Sequence, residues 1–391
     1  MVNCYVYTHF NFGIGHFQRA KVLSEELSNK YSTFLMSSGK KLPKEFLPKN
    51  KIKFIQLPSE EFYEFGKTKV SDPKINKKAM NNIRINTIKK LFKKNKPNIF
   101  ITEYFPFSPF RLKKTLMPLI KYINLKYKKC LIISSVRDFP LSDIERKNKY
   151  NKILIKNILN KYYDAILVHA PKELSIFKNG ELFYRLKCKP KIFFTGFVVE
   201  TTLLNKINYI KNRNKNILLT TGGGRDGLEL IKKILESYKL IKKNKKIILN
   251  IVCGPLREKE KLKKLKKYKN KENIKIHDFI TGSKKVNKFL CADVIISMSG
   301  YNTIAEIYAC GSPSLIFPRE NSYEQIKRAK YITKKNKNSF ICNLSNPNKN
   351  IKLLIERCFS LKKKSFKNLC LGSIKSAEII NKLYNEKKYQ K

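Results

Sequence analysis

No stretch of this sequence approaches the roughly 18 consecutive apolar residues that a membrane-spanning helix needs. Its apolar fraction, 42%, is still enough for a globular core. The first residues, Met1-Val2-Asn3-Cys4-Tyr5-Val6, have neither a basic n-region nor a long apolar h-region, so no secretory leader is expected. Cysteine is sparse and unpatterned: nine residues, an odd number, none in a Cys-x-x-Cys pair. That spacing offers no zinc site and no disulfide framework, and a reducing cytoplasm is the expected compartment. No Asp-x-Asp triplet occurs, so neither a metal site nor a cofactor is expected. Acidic residues are few, 29 against 84 Lys and Arg, and arginine itself is scarce, outnumbered by lysine roughly six to one.

The resulting net charge, +55, has two readings. One is a polyanion partner, either nucleic acid or an acidic membrane surface. The other is base composition: Lys, Asn and Ile have A/T-rich codons, and the lysines run the whole length of the chain instead of clustering. Arginine, the usual choice for specific phosphate or base contacts, is the residue in short supply. The aromatic and basic platform of a single-strand binder is also missing. The expectation is therefore no specific nucleic-acid partner, with loose peripheral contact to anionic lipid still compatible with the lysines.

The richest segment is Ile295-Ile296-Ser297-Met298-Ser299-Gly300-Tyr301-Asn302-Thr303-Ile304-Ala305-Glu306. An apolar run from Val294 to Ile296 predicts a buried strand. A Ser-Gly loop follows, then a helix that Asn302 or Thr303 could cap, with Ile304, Ile307 and Tyr308 at helical spacing. Strand, small-residue loop and helix start together form an anion site, since free N–H groups and the helix dipole point at the loop. Glu306, one turn in, could grip the two hydroxyls of a ribose. Two similar junctions occur. One runs from Val2–Tyr7 into Asn11-Phe12-Gly13-Ile14-Gly15-His16 and a helix with Phe17, Ala20, Leu23 and Leu27 on one face. The other runs from Ile217-Leu218-Leu219-Thr220-Thr221 into Gly222-Gly223-Gly224.

Strands are expected at 2–8, 32–37, 52–56, 98–103, 130–135, 164–168 and 192–195. A second set falls at 217–221, 247–252, 275–279, 293–297, 314–317 and 338–342. Residues 58–90 read as a loop and a helix, and 351–391 as helices. The fold class is thus α/β: two doubly wound, Rossmann-like domains facing across a cleft, which is where such sheets bind ligands. The domains are 1–204 and 217–391. The polar segment 205–216 is the linker, and the terminal helices are free to return to the first domain. No internal repeat of 20–50 residues is present.

The second half resembles the C-terminal domain of glycosyltransferase family 28, of the two-domain GT-B class that includes the peptidoglycan N-acetylglucosaminyltransferase. The residues that carry this are Ala292-Asp293-Val294-Ile295-Ile296-Ser297, Ser299-Gly300-Tyr301-Asn302-Thr303, Glu306, Gly311-Ser312-Pro313 and Pro318 to Gln325. The first half is similar to a narrower group of predicted glycosyltransferases through Gly13-Ile14-Gly15-His16, Arg19, Thr102 to Phe107, Ser135-Val136-Arg137-Asp138, Val168-His169 and Thr195 to Val198. The peptidoglycan enzyme has a longer glycine run before its histidine, where this chain has only Gly13 and Gly15. Two adjacent glutamines contact the donor sugar in that family, where this chain has Glu324-Gln325.

The resemblance implies an inverting, metal-independent transfer from a nucleoside-diphosphate sugar, a UDP-sugar by analogy, to a hydroxyl acceptor. In that class, helix N-terminus donors replace a divalent cation as charge stabiliser. Each candidate residue also has a plainer reading. Glu306 could hold the ribose, or close a capping box with Thr303. His16 could act as general base, or merely orient the loop. Asp138 is the rival base, or a partner of Arg137 or a helix cap. Gly222, Gly223, Gly224 and Arg225 could close on a pyrophosphate when the domains shut, or form an ordinary turn. Glu324 and Gln325 could bond sugar hydroxyls, or reflect the preference for acids at a helix start.

Ser299, Gly300, Asn302 and Thr303 would supply the phosphate loop. The backbone near Phe279, after His277-Asp278, would meet the nucleobase, by resemblance only. Gly13, Gly15 and Glu103 would line the acceptor side, with Glu103 otherwise a packed strand end. His169 and His277 have weaker claims, and His9 reads as structural. Two alternatives use the same scaffold: a nucleotide-sugar hydrolase or 2-epimerase, and a basic nucleic-acid-binding protein on an inactive GT-B fold.

Overall fold

The computed structural model describes residues 1–10, 13–49, 51–64, 67–107, 109–139, 148–174, 188–205, 214–223, 227–241, 247–255, 265, 268 and 273–389. The chain divides into two units: Met1–Val198 together with Leu371–Lys391, and Val199–Cys370. The sequence reading ended the first domain at residue 204, six residues later. Of the linker expected over 205–216, residues 206–213 lie outside the described residues, Asn205 closes a short helix and Lys215 already begins a strand.

The first unit runs β1 (Asn3–Thr8), α1 (Gly15–Leu27), β2 (Ser32–Ser37), β3 (Lys53–Gln56), β4 (Glu60–Glu64), β5 (Lys67–Val70), α2 (Lys77–Lys94), β6 (Ile99–Glu103), α3 (Pro109–Lys126), β7 (Leu131–Arg137), α4 (Lys149–Tyr162), β8 (Ala165–His169) and β9 (Lys191–Phe194). Seven strands form one parallel sheet in the order β3-β2-β1-β6-β7-β8-β9. Every residue of β6 and β8 is buried, as expected for strands covered on both faces, whose sequences read as apolar runs without alternation. The expected face of α1 is the buried one, with Phe17, Ala20, Leu23 and Leu27 turned to the core. Asn76 caps α2 by accepting the Ala79 N–H at 2.9 Å, a bond typical of a helix N-terminus. The antiparallel pair β4–β5 lies where a loop was expected. Its strands are five and four residues long, too short to show a period in the sequence.

The second unit runs α5 (Thr201–Asn205), β10 (Lys215–Thr220), α6 (Leu228–Lys239), β11 (Ile247–Val252), β12 (Ile274–His277), α7 (Gly282–Cys291), β13 (Val294–Met298), α8 (Tyr301–Cys310), β14 (Ser314–Phe317), α9 (Tyr323–Lys335), β15 (Ser339–Ile341) and α10 (Asn348–Ser360). Its parallel sheet has the order β12-β11-β10-β13-β14-β15. The core gathers Ile217, Leu219, Leu249, Ile251, Val294 and Ile296 between the sheet and its helices.

The last helix, α11 (Gly372–Tyr389), belongs to the first unit. Three contacts hold it there. Gly372 N–H donates to the Phe197 carbonyl at 2.9 Å. Tyr31 Oη donates to Asn381 Oδ1 at 3.1 Å. Lys387 Nζ reaches both Asp164 oxygens, at 2.8 and 2.7 Å, and the Cys130 carbonyl at 2.8 Å.

In both sheets the strand order reverses beside the first strand. In the first unit the reversal lies between β1 and β6, and in the second between β10 and β13. Chains leaving the carboxyl ends of such strands diverge to opposite faces and leave a crevice there. Each unit therefore has one place where a site is expected on topology alone.

Candidate functional site

In the first unit, α1 follows β1 and brings His16 into its first turn, while Glu103 is the last residue of the neighbouring β6. The two meet at the switch point: His16 Nδ1 lies 3.0 Å from Glu103 Oε1. Arg19, one turn further along α1 and 2% exposed, also donates to Glu103 Oε1, and its Nη2 lies 3.0 Å from His16 Nδ1. Burial alone would raise the Glu103 carboxyl. The Arg19 guanidinium and the hydrogen bonds from His16 and Arg19 outweigh it and hold the group at about 2. Glu103 is therefore ionised and accepts only; with its proton on Nδ1, His16 donates to Glu103 and keeps the lone pair on Nε2, and with the proton on Nε2 it accepts from Arg19 instead. Nε2 has no hydrogen-bond partner among the described residues, and the side chain is 23% exposed. Burial lowers the His16 pKa; the Glu103 hydrogen bond opposes this, and the charges of Arg19 and Arg137 add to it. The ring is thus neutral near pH 7. Tyr104 packs beside it at 4.7 Å between ring centroids.

Of the expected residues here, the structure brings His16 and Glu103 together and does not add Asp138 to their hydrogen bonds. Asp138 is fully buried and accepts the Phe139 N–H at 2.9 Å. Gly13 precedes α1, with open space where a Cβ would stand, and Gly15 is the first residue of the helix. His9 lies 3.2 Å from the Ser38 carbonyl and 3.0 Å from the Ser38 hydroxyl.

In the second unit, the loops after β10 and β13 adjoin. A Cβ on Gly222 would stand 3.9 Å from Thr303 Oγ1, and Gly222 itself has φ +64°, a conformation that suits glycine. Gly222 and Gly223, read from the sequence as part of a turn that closes on a pyrophosphate, follow β10, and Gly222 adjoins Thr303 in the same unit. Gly224 and Arg225 lie outside the described residues.

The helix start also differs from expectation. Asn302 and Thr303 do not cap α8: its N-cap is Gly300, which makes no side-chain cap bond, so the capping box of Thr303 and Glu306 is not formed. The N-cap residue of this helix start makes no side-chain cap bond, and the first N–H groups of the helix carry the positive end of its dipole. A Cβ added to Gly300 would meet nothing within 4 Å. Ser299 is fully buried, and its Oγ has no hydrogen-bond partner among the described residues. Its carbonyl accepts Arg328 Nη1 at 2.6 Å. Arg328, fully buried on α9, thus fixes the loop from behind.

Gln325, one turn before Arg328, is 5% exposed and accepts the Arg319 N–H through Oε1 at 3.1 Å. Its Nε2 has no partner among the described residues. Glu324 sits beside it in the first turn of α9. Phe279 lies half-buried beyond the end of β12, on the path into α7.

Glu306, 8% exposed, pairs with Lys285 of α7, whose Nζ also lies 3.5 Å from Glu200 Oε1. Burial pushes the Glu306 carboxyl up, against the pull of Lys285. Burial would lower the Lys285 ammonium, but the Glu306 and Glu200 carboxylates raise it well above its usual range. Among the described residues, no group of three or more His, Cys, Asp or Glu is placed to hold a metal ion, and no helix is long and apolar enough to cross a membrane.

Arg328 and Lys285 were not among the expected site residues. For Arg328 a signal existed: in a chain where lysine replaces arginine almost everywhere, a retained arginine marks a place that needs a guanidinium. Arg19 and Arg84 are buried in the same way.

Two parallel, doubly wound sheets, each with its site at the order reversal, define the GT-B class. Solved structures share this build along nearly the whole chain. UDP-GlcNAc 2-epimerase from Methanocaldococcus jannaschii is 15% identical with a TM-score of 0.62, over 98% of this chain and 100% of that one. MurG of Acinetobacter baumannii is 12% identical with a TM-score of 0.53, over 99% and 100%. Residues 217–368 match the glycosyltransferase family 28 C-terminal domain. That match lies within the second unit. Among curated proteins, the UDP-N-acetylglucosamine–N-acetylmuramyl-(pentapeptide) pyrophosphoryl-undecaprenol N-acetylglucosamine transferase of Flavobacterium psychrophilum is 29% identical over 203 residues, 49% of this chain and 50% of that protein. The chain spans about half the length of the curated relatives it matches.

Proposed function

We propose that this protein transfers a sugar from a nucleoside-diphosphate sugar, UDP-linked, to an acceptor hydroxyl with inversion at the anomeric carbon. The observation that carries this is the start of α8 at a glycine N-cap, at the switch point of a family 28 domain, with Gly222, Ser299, Gly300 and Thr303 around it. In this reading the N–H groups of that helix start take up the charge that grows on the departing diphosphate, the role a divalent cation plays elsewhere. Glu306 takes the ribose hydroxyls. Gln325, through its Nε2, and Glu324 face the sugar. His16 Nε2 accepts the proton of the acceptor hydroxyl, whose oxygen attacks C1 as the bond from C1 to the diphosphate oxygen breaks. The imidazolium so formed is stabilised by Glu103. Asp138 is the alternative base.

The acceptor side is the first unit, with Gly13 and Gly15 in its turn. Loose contact with an anionic membrane would suit a lipid-linked acceptor on the cytoplasmic face, and no nucleic acid is needed. The test is thermal unfolding with UDP and UDP-sugars, in EDTA and in magnesium. A ligand that binds only the native state must raise the melting temperature. Stabilisation in EDTA is expected, and no shift with any nucleoside diphosphate under either condition would overturn the proposal.

The likeness to a UDP-GlcNAc 2-epimerase supports a second reading in which no acceptor is used. Incubation with UDP-GlcNAc alone separates the two, because an epimerase or hydrolase changes the sugar in that mixture and a transferase leaves it intact.

A further inference from the structure

Behind Glu103 a line of hydrogen bonds continues into the core, where the proposed chemistry does not require it. Ser135 Oγ on β7 lies 2.6 Å from Glu103 Oε2 and 2.9 Å from His169 Nε2 at the end of β8. His169 Nδ1 lies 2.9 Å from Thr195 Oγ1, just past β9. Four successive strands, β6 to β9, thus bring one residue each to the same end of the sheet. None of the four is more than 1% exposed. A polar chain this deep is costly unless each member is satisfied, and the way it is satisfied fixes where every proton lies.

The direction follows from Glu103. Its carboxylate can only accept, so the one proton of the Ser135 hydroxyl goes to Oε2. Ser135 must then accept from His169, which places the imidazole proton on Nε2. His169 Nδ1 is left with a lone pair, and it takes the proton of Thr195 at 2.9 Å in preference to the Val168 and Gly196 carbonyls, which lie farther off at 3.4 and 3.2 Å. Glu103 thereby receives Ser135 on one oxygen, and Arg19 and His16 on the other.

We propose that Ser135, His169 and Thr195 are positioning residues, a relay of one fixed direction that holds Glu103 oriented and so fixes the proton of His16 on Nδ1. This rests on the reading of His16 as the base. The charged groups facing the two imidazoles are Arg19, Glu103 and, for His16, Arg137. Burial and Arg19 push His169 down to about 3 against the pull of Glu103, in keeping with an imidazole that stays neutral.

The experiment is nitrogen-15 spectroscopy of the histidine-labelled full chain, which has four histidines, titrated from pH 5 to 8. In the wild type, His169 should show the Nε2–H tautomer throughout and His16 the Nδ1–H tautomer when neutral. Ser135→Ala removes a donor from Glu103 Oε2. The less satisfied carboxylate then holds the His16 proton harder, and the His16 midpoint should rise by roughly half a pH unit to one unit. His169→Leu should shift it the same way by less. His169→Gln, which can offer an N–H to Ser135 and an oxygen to Thr195, should restore the wild-type value.

The relay is overturned if His169 titrates in this range or carries its proton on Nδ1. It is also overturned if the His16 midpoint is the same in wild type, Ser135→Ala and His169→Leu while stability falls. Should His169→Leu fail to fold, the wild-type tautomers and Ser135→Ala still decide. UDP-induced stabilisation, measured on the same samples, reports on the other unit. A chain with the relay but no UDP response would overturn the transferase reading, and one with UDP response but no relay would overturn only this inference.

Discussion

Arg328 donates to the carbonyl of Ser299 at 2.6 Å, so a guanidinium buried on one helix sets the loop that opens the next. The bond joins a charged donor to a main-chain acceptor in a fully buried place, where Lys cannot reproduce the planar fork. Arg328→Lys should lower the melting temperature and weaken UDP binding by about tenfold or more, the equivalent of one lost charge-assisted hydrogen bond. Calorimetric titration with UDP measures this. Unchanged affinity would show that the loop holds its shape without Arg328.

Glu306→Ala should weaken UDP far more than it destabilises the fold. Losing two hydrogen bonds from a carboxylate to ribose hydroxyls should cost about 1.5–3 kcal/mol of binding. The fold keeps a partner for the lysine, because Lys285 retains Glu200 at 3.5 Å, and no cap is lost, because Glu306 closes none. A large fall in melting temperature with unaltered UDP affinity would make Glu306 a structural ion-pair residue.

His16→Ala should leave UDP stabilisation intact and lower sugar transfer into extract acceptors by about 10²–10⁴-fold, the usual contribution of a general base. Asp138→Asn should do less, since Asp138 makes no hydrogen bond with His16 among the described residues. An inactive Asp138→Asn beside an active His16→Ala would move the base to Asp138.

Acid should unfold the first unit from an unusually high pH. His169 is held at about 3 in the native state against an ordinary 6.5. Between those values the unfolded chain binds a proton that the native chain does not, so stability falls as pH falls through that window. The slope per group is at most about 1.36 kcal/mol per pH unit. His16, also lowered, adds to the loss below 6.5, and Glu103, at about 2 against 4.5, adds to it from 4.5 downward. Denaturant melts of wild type and His169→Gln from pH 7.5 to 4.5 test this. The variant should show a flatter dependence, and equal slopes would mean that His169 protonates freely in the folded protein.

If base composition explains the net charge of +55, DNA and RNA should bind weakly, without sequence preference, and release by physiological salt. Binding that survives such salt in a filter or fluorescence assay would point to a nucleic-acid partner.

Both sheets were legible in the sequence because most of their strands are short apolar runs; Val294 to Ile296 and Ile99 to Ile101 show this plainly. The hairpin β4–β5 was not, because nine strand residues in two short pieces carry too little pattern. His16 and Glu306 could be picked out by type and place, since both follow a small-residue turn at a strand end. The bonds they make could not, although Glu103 itself was among the expected residues. Glu103 and His16 are 87 residues apart, and only the strand order makes them neighbours. The cap of α8 was misread because Asn302 and Thr303 are good capping residues by type, while the chain starts its helix two residues earlier, at Tyr301.

The return of α11 to the first unit governs the order in which this protein is made. Synthesis at about 5–20 residues per second leaves the segment Met1–Val198 outside the ribosome for roughly 10–30 seconds before residues 371–389 emerge. During that interval Asp164 and Tyr31 wait for Lys387 and Asn381. The unit begun first is finished last, and a gene cut after Val198 would encode a body without its closing helix.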